Sequence, residues 1–144
     1  MLDAFAGTGA LGLEALSRGA AHVTFIERDP ATLVSLRANI DALGVSDQTS
    51  VIARDTDRAL AASAQLGATY DLVFLDPPFS ETAARAPRLG SALTPLMTTG
   101  GRVVLEYDGS ANDVPEFGTM PIFQRIDRRY GSVAIAIVQV GIPA

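Results

Sequence analysis

The sequence contains no cysteine and no lysine, and only one histidine, His22. Without cysteine there is no disulfide framework, no thiolate metal site and no thiol nucleophile. One histidine cannot build a multi-histidine zinc site, so no metal is expected. No apolar run reaches the roughly 18 residues that a membrane helix needs. No charged-then-apolar leader precedes the first motif, so the expectation is a cytoplasmic protein without a membrane partner. The lack of lysine makes each of the 11 basic residues an arginine, set against 16 carboxylates for a net charge of −5. Phosphate contacts need cations, so the overall sign opposes tight nucleic-acid binding by this chain alone. Arginine does chelate phosphate oxygens and stack on bases, so the basic minority is chemically suited to such contacts.

What is present is a chain of 144 residues with 48% hydrophobic content, which suits one domain over residues 1–144. No repeat, linker or low-complexity tract divides it. Strands and helices alternate along it. Leu2 opens almost inside a structured element, and a glycine loop leads into a short helix from Ala10 to Arg18. His22 to Glu27 reads as a buried strand. Asp29-Pro30 starts a helix whose apolar face is Leu33, Leu36, Ile40 and Leu43, and Gly44 stops it. Ser50 to Arg54 is a short strand, and Asp55 caps a helix running towards Leu66. Tyr70 to Asp76 is the strongest strand. Leu89, Ala92, Leu93 and Leu96 form the next helical face, with limits blurred by Pro87 and Pro95. Gly101 to Glu106 is another strand. Ile122 to Arg128 and Ser132 to Val140 close the chain around Tyr130-Gly131. Alternation of this kind predicts an α/β fold with a mostly parallel sheet and helices on both faces. The two closing strands lack room for a helical crossover and should pair as an antiparallel hairpin.

Two segments carry chemistry. Gly7, Gly9 and Gly12 form G-x-G-x-x-G directly after a strand and before a helix. This arrangement turns tightly and lets a ligand approach the backbone. Glu27 ends the next strand, 20 residues beyond Gly7, where an acid can hold ribose hydroxyls. Nicotinamide and flavin folds share these glycines and this acid, so the motif does not name the cofactor. Asp3 bears on that choice. S-adenosylmethionine has an ammonium and no phosphate, and a carboxylate beside the loop can meet that ammonium. Asp3 can equally serve by bonding the loop backbone.

The second segment is Asp76-Pro77-Pro78-Phe79, which follows the apolar run Leu72-Val73-Phe74-Leu75. Two prolines remove two amide donors and leave the Asp76 carboxylate and the Pro77 carbonyl as acceptors. An exocyclic amino group on a base has two hydrogens and a delocalised lone pair. Two acceptors can hold both hydrogens and turn the lone pair towards a methyl donor. Phe79 offers a flat surface for base stacking, worth ~1–3 kcal/mol. The reaction expected is direct in-line transfer, with catalysis from positioning and from acceptors aimed at the developing ammonium.

Asp-x-Phe-x-Gly-x-Gly-x-x-Gly with Asp-Pro-Pro-Phe resembles the Rossmann-like class I amino-methyltransferases. The run from Leu2 to Ala20 is similar in more detail to the RsmD-type enzymes, bacterial methyltransferases of guanine N2 in small-subunit (16S) ribosomal RNA. Ile26-Glu27, Glu106 and the Tyr130-Gly131 hairpin fit the same group. The resemblance implies S-adenosylmethionine as cofactor and 16S rRNA or the assembling small subunit as partner, acted on by a monomer. It implies that Asp3, Phe5, Gly7 and Gly9 border the methionine end, that Glu27 holds the ribose, and that Asp55 with Thr56 meets the adenine. For Asp55, helix capping is a competing role. Asp76, Pro77 and Phe79 would receive the target base. Enzymes of this type carry a basic segment ahead of the first strand, whereas this sequence opens at Met1-Leu2-Asp3. Asp-Pro-Pro-Phe is shared with DNA adenine-N6 methyltransferases. That activity, a dinucleotide-dependent oxidoreductase and a non-catalytic binding domain remain alternatives at this point.

Overall fold

The structure, a computed structural model, describes residues 1–141; the last three residues of the expected domain lie outside the described residues. Its strands are β1 (Leu2–Asp3), β2 (Val23–Ile26), β3 (Thr49–Ile52), β4 (Tyr70–Leu75), β5 (Met97–Asp108), β6 (Ile122–Tyr130) and β7 (Val133–Val140). Its α-helices are α1 (Ala10–Ser17), α2 (Pro30–Leu43), α3 (Thr56–Gln65) and α4 (Phe79–Leu93). One seven-stranded sheet runs in the order β3-β2-β1-β4-β5-β7-β6. The first five strands pair in parallel, and β7 pairs antiparallel with both β5 and β6. The expected closing hairpin is therefore present, with β7 inserted between β5 and the edge strand β6.

The chain leaves β1 towards β2 on one side and returns to β4 on the other. A crevice forms where such a reversal occurs, at the carboxyl ends of the strands. The loop after β1 and the Asp76 segment after β4 flank it. Buried residues lie on both faces of the sheet. Val23, Phe25, Leu33, Leu36 and Ile40 pack together under α1 and α2. A larger cluster joins Leu2, Ile26, Leu60, Val73, Leu89, Leu93 and Leu105 under α3 and α4.

Local sequence explains most element limits. Asp29 caps α2 by accepting from the Thr32 N–H at 2.8 Å, with Pro30 at the first helical position. Gly44 ends α2 in the left-handed conformation, at φ 66°. Here one expectation is corrected. Leu43 is 62% exposed, and Val45 packs against the core in its stead. The reversal at Gly44 folds Val45 back onto the helix, its N–H reaching the Ile40 carbonyl at 3.3 Å. Pro87 does not limit α4, which runs through it. The carbonyl that Pro87 cannot bond belongs to Ala83, an exposed residue, so water can satisfy it. Pro95 lies in the 3₁₀ turn Thr94–Leu96 that follows. No helix among the described residues is long and apolar enough to cross a membrane.

The motif glycines divide by role. A methyl group on Gly12 would overlap the Phe25 ring and the Val23 side chain, and one on Gly9 would overlap Leu36. These two let α1 lie close to the sheet and to α2. Gly12→Ala should therefore lower unfolding free energy by about 1–3 kcal/mol in a urea titration, because a packed core absorbs an added methyl only by shifting.

Candidate functional site

At Gly7 the backbone is left-handed, with φ +56°, and the space a side chain would fill is empty. This glycine borders a cleft of about 250 Å³ at the carboxyl edge of the sheet. Phe5, Glu27, Asp55, Thr56, Asp76 and Arg85 are among the residues lining it. The tertiary fold thus gathers, around one opening, side chains from the ends of β1, β2, β3 and β4.

Glu27 holds this loop in place. One carboxylate oxygen accepts the Gly7 N–H at 2.9 Å, and the other accepts the N–H groups of Arg28 and Asp29, each at 2.9 Å. The carboxylate is fixed and keeps spare lone pairs for hydroxyl donors. Asp55 caps α3 by accepting from the N–H groups of Asp57 and Arg58 at 3.2 and 3.4 Å. Its other oxygen lies 3.7 Å from the Arg28 guanidinium. The capping role and a place on the cleft wall thus occur in one side chain. Thr56 donates its hydroxyl to the Ala4 carbonyl at 3.0 Å, tying the start of α3 to the end of β1.

Asp3 is 1% exposed and lies beneath the loop. One oxygen accepts the Gly12 N–H at 3.1 Å, while Oδ1 is buried without a partner. Burial pushes its carboxyl up to about 6; the Gly12 N–H opposes this, and the charges of Asp76 and Glu27 add to it. The backbone-bonding role foreseen for Asp3 is thus present, and half of the carboxylate is left over.

Asp76 stands at the rim of the cleft, its carboxyl raised above the usual range by partial burial. Pro78 lines the cleft, whereas Pro77 and Phe79 do not. Pro77 is buried, and Phe79 is the first residue of α4, 41% exposed beside the opening. Gly9 also lies outside the lining, for the packing reason given above.

Arg85 is a site residue that sequence reasoning missed. Its guanidinium sits 5.0 Å from the centre of the Phe5 ring and bonds Glu81 at 3.1 Å, with Asp57 at 3.5 Å. The Glu81–Arg85 spacing is visible in the sequence as a helical i,i+4 pair. Its position over Phe5 is not, because β1 and α4 meet only in the fold. Arg28 and Glu81, also in the lining, were missed likewise.

The raised Asp3 carboxyl gives a test with a defined sign. A folded value above the unfolded one means that ionised Asp3 opposes folding at neutral pH and that protonation relieves the cost. Asp3→Asn, which keeps an acceptor for Gly12, should raise the melting temperature at pH 7.5. The advantage should shrink as pH falls through about 6 towards 4, where Asp3 itself becomes protonated. Melting curves of both proteins across that range check it; an advantage independent of pH would contradict the assignment.

A family model described as "Conserved hypothetical protein 95" matches residues 1–139. The Bacillus subtilis protein YlbH, provisionally named an rRNA methyltransferase, is 32% identical over 136 residues, covering 94% of this chain and 73% of that protein. Ribosomal RNA small subunit methyltransferase D of Escherichia coli is 46% identical over 78 residues, covering 54% of this chain and 37% of the enzyme. A solved Escherichia coli structure, provisionally named methyltransferase yhhF, superposes with a TM-score of 0.82 at 30% identity, covering 99% of this chain and 76% of that one. With the sheet order, the glycine loop and Asp-Pro-Pro-Phe in the places described, this chain belongs to the conserved hypothetical protein 95 family, the RsmD-type group of class I methyltransferases.

Proposed function

We propose that this protein transfers a methyl group from S-adenosylmethionine to the exocyclic amino nitrogen of a nucleic-acid base, and that the base is guanine, at N2, in small-subunit ribosomal RNA. The observation that carries the reading is the place of Asp76: an acceptor on the rim of a cleft whose floor is the bare Gly7 loop. The names of the relatives point to rRNA as the substrate class. The acting unit in this reading is a single-domain monomer in the cytoplasm, with 16S rRNA or an assembling small subunit as its partner.

The residues present fit the cofactor. The unpartnered Asp3 oxygen suits an ammonium, directly or through water. Glu27 offers fixed acceptors for a ribose diol, and Asp55 with Thr56 lies on the wall where an adenine amino group would reach. Phe5 supplies an apolar surface near the methionine end. When bound, S-adenosylmethionine supplies an electrophilic methyl on a sulfonium.

The chain's own work is to present the nucleophile. Asp76 and the Pro77 carbonyl accept the two amino hydrogens and favour the geometry in which the nitrogen lone pair is exposed. Phe79, at the start of α4, gives the unstacked base a surface to rest on. As the C–N bond forms and the methyl–sulfur bond breaks, with the neutral thioether as leaving group, positive charge grows on the base nitrogen beside the Asp76 carboxylate, which stabilises it. The extra proton then leaves to Asp76 or to water.

Calorimetry with S-adenosylhomocysteine tests the cofactor half. Wild type should bind, and Glu27→Ala should weaken binding by about 1–3 kcal/mol, because two hydroxyls lose their acceptor. Single-turnover transfer to ribosomal RNA or a partly assembled small subunit, followed by nucleoside analysis, tests the rest. Asp76→Ala should slow transfer by ~10²-fold or more, with Asp76→Asn rescuing little, since its amide places a donor where an acceptor is needed. Phe79→Ala should weaken base binding by ~1–3 kcal/mol, and Phe79→Tyr should be mild. All three position-76 and position-79 losses should leave S-adenosylhomocysteine binding near normal. Loss of cofactor binding in step with rate would make Asp-Pro-Pro-Phe a cofactor or folding element. N6-methyladenosine as the product would replace guanine with adenine.

A further inference from the structure

The register of the central strands brings a second carboxylate to the target side of Asp76. β4 and β5 run parallel, with Phe74 opposite Val104 and Leu75 opposite Leu105. One residue further, Asp76 and Glu106 stand side by side at the carboxyl edge. Strand alternation puts Phe74, Val104 and Glu106 on one face and Leu75, Leu105 on the other. The second face is buried beneath α3 and α4, while Phe74, Val104 and Glu106 are only half-buried. The row continues to Ile135 of β7, opposite Glu106 and likewise half-buried. Glu106 therefore stands at the upper end of an open apolar floor, one strand away from the rim of the cleft.

Its carboxylate is uncommitted. No hydrogen bond acts on it among the described residues, and burial first, then the Asp76 charge, raise its carboxyl above the ordinary value. That the Asp76 charge acts on it agrees with the neighbouring places the strand register gives the two carboxylates. A side chain in this position carries an acceptor that costs something to keep near another negative charge.

Base chemistry supplies a use for it. On the Watson–Crick edge of guanine, the N1–H donor lies directly beside the N2 amino group. Adenine and cytosine each place a bare, accepting ring nitrogen beside their amino group. A carboxylate next to the acceptor for the amino group thus matches guanine alone among the amino-bearing bases, and opposes a lone pair to the other two. We propose that Glu106 reads the target base: its carboxylate accepts the N1–H of guanine while Asp76 accepts from the amino nitrogen beside it. This rests on the amino-methylation reading and adds its specificity. Glu106 contacts the base and leaves the cofactor untouched.

The test pairs a variant with a modified base. The full chain is first given a partly assembled small subunit, and the methylated nucleoside is identified and its position mapped. RNA is then prepared by ligation with either guanosine or 2-aminopurine riboside at that position. 2-Aminopurine keeps the amino group at C2 but has no hydrogen on N1. Wild type should act on it about tenfold more slowly than on guanosine, or worse, having lost a charged hydrogen bond and gained a lone-pair clash. Glu106→Gln can donate its amide N–H to the bare N1. Its own guanosine to 2-aminopurine rate ratio should collapse to within about threefold, or invert. Each ratio is internal to one protein, so a lower folded fraction in the variant cancels. S-adenosylhomocysteine affinity should be the same in both proteins. A Gln variant with the wild-type ratio, whatever its absolute rate, would overturn the role of Glu106 and leave amino-methylation standing. A wild-type product other than N2-methylguanosine would overturn the role of Glu106 together with the choice of guanine, and the first step alone would show it.

Discussion

Two carboxylates hold the loop between β1 and α1, and the site depends on them. Glu27 takes the Gly7 N–H at the start of the turn, and Asp3 takes the Gly12 N–H at its end. A loop that reverses in the middle of a sheet has amides that neither strand nor helix can satisfy, and buried unsatisfied amides are costly. Here each end of the turn is bonded to a side chain from the sheet below. The Gly7 backbone is thereby left bare towards the cleft, and α1 is held where Gly12 can lie against Phe25. β1 pairs in register with β4, with the Ala4 N–H on the Phe74 carbonyl at 3.1 Å, and this sets Asp76 near the loop.

This arrangement concentrates negative charge. Asp3, Glu27, Asp76 and Glu106 all lie at the carboxyl edge of four adjacent strands, and the charges of Glu27 and Asp76 act on Asp3 as that of Asp76 acts on Glu106. Like charges gathered in partly dry surroundings oppose folding. Beyond the backbone N–H groups that Glu27 and one Asp3 oxygen accept, this set retains acceptor capacity for further donors. An ammonium, a ribose diol and the donor edge of a base are such donors. The cationic counterweight is local as well: Arg28 lies by Asp55, and Arg85 is bound to Asp57 and Glu81 over the Phe5 ring.

The sheet is covered unevenly. On β5 and β7, fully buried residues alternate with half-buried ones, so one face is packed and the other is open. The open face begins at Glu106 and passes down through Val104, with Ile135 and Ile137 beside it. Beyond it, β6 is exposed along almost its whole length. The Glu106 end of the site therefore adjoins this exposed strand surface, while Glu27, Asp55 and Thr56 line the cleft.

Much of this was legible in the chain itself. Strand–helix alternation, the caps at Asp29 and Asp55, the glycine loop and Asp-Pro-Pro-Phe are local patterns, because hydrogen-bonding and steric rules act over a few residues. They fixed the fold class and most of the residues around the cleft. The glycines alone left the cofactor class open between dinucleotides and S-adenosylmethionine, since both need the same tight turn; membership of the family decided it. Tertiary structure decided what local patterns cannot reach. Leu43 lost its place in the core to Val45 because a left-handed glycine redirected the chain. Pro87 stayed inside a helix because the carbonyl it deprives belongs to an exposed residue, Ala83. Arg85 came to rest over Phe5, 80 residues away in sequence, because α4 packs on the side of the sheet where β1 ends. Glu106 came beside Asp76 because two parallel strands share a register, and register is set by how buried faces match across the sheet, not by either strand alone.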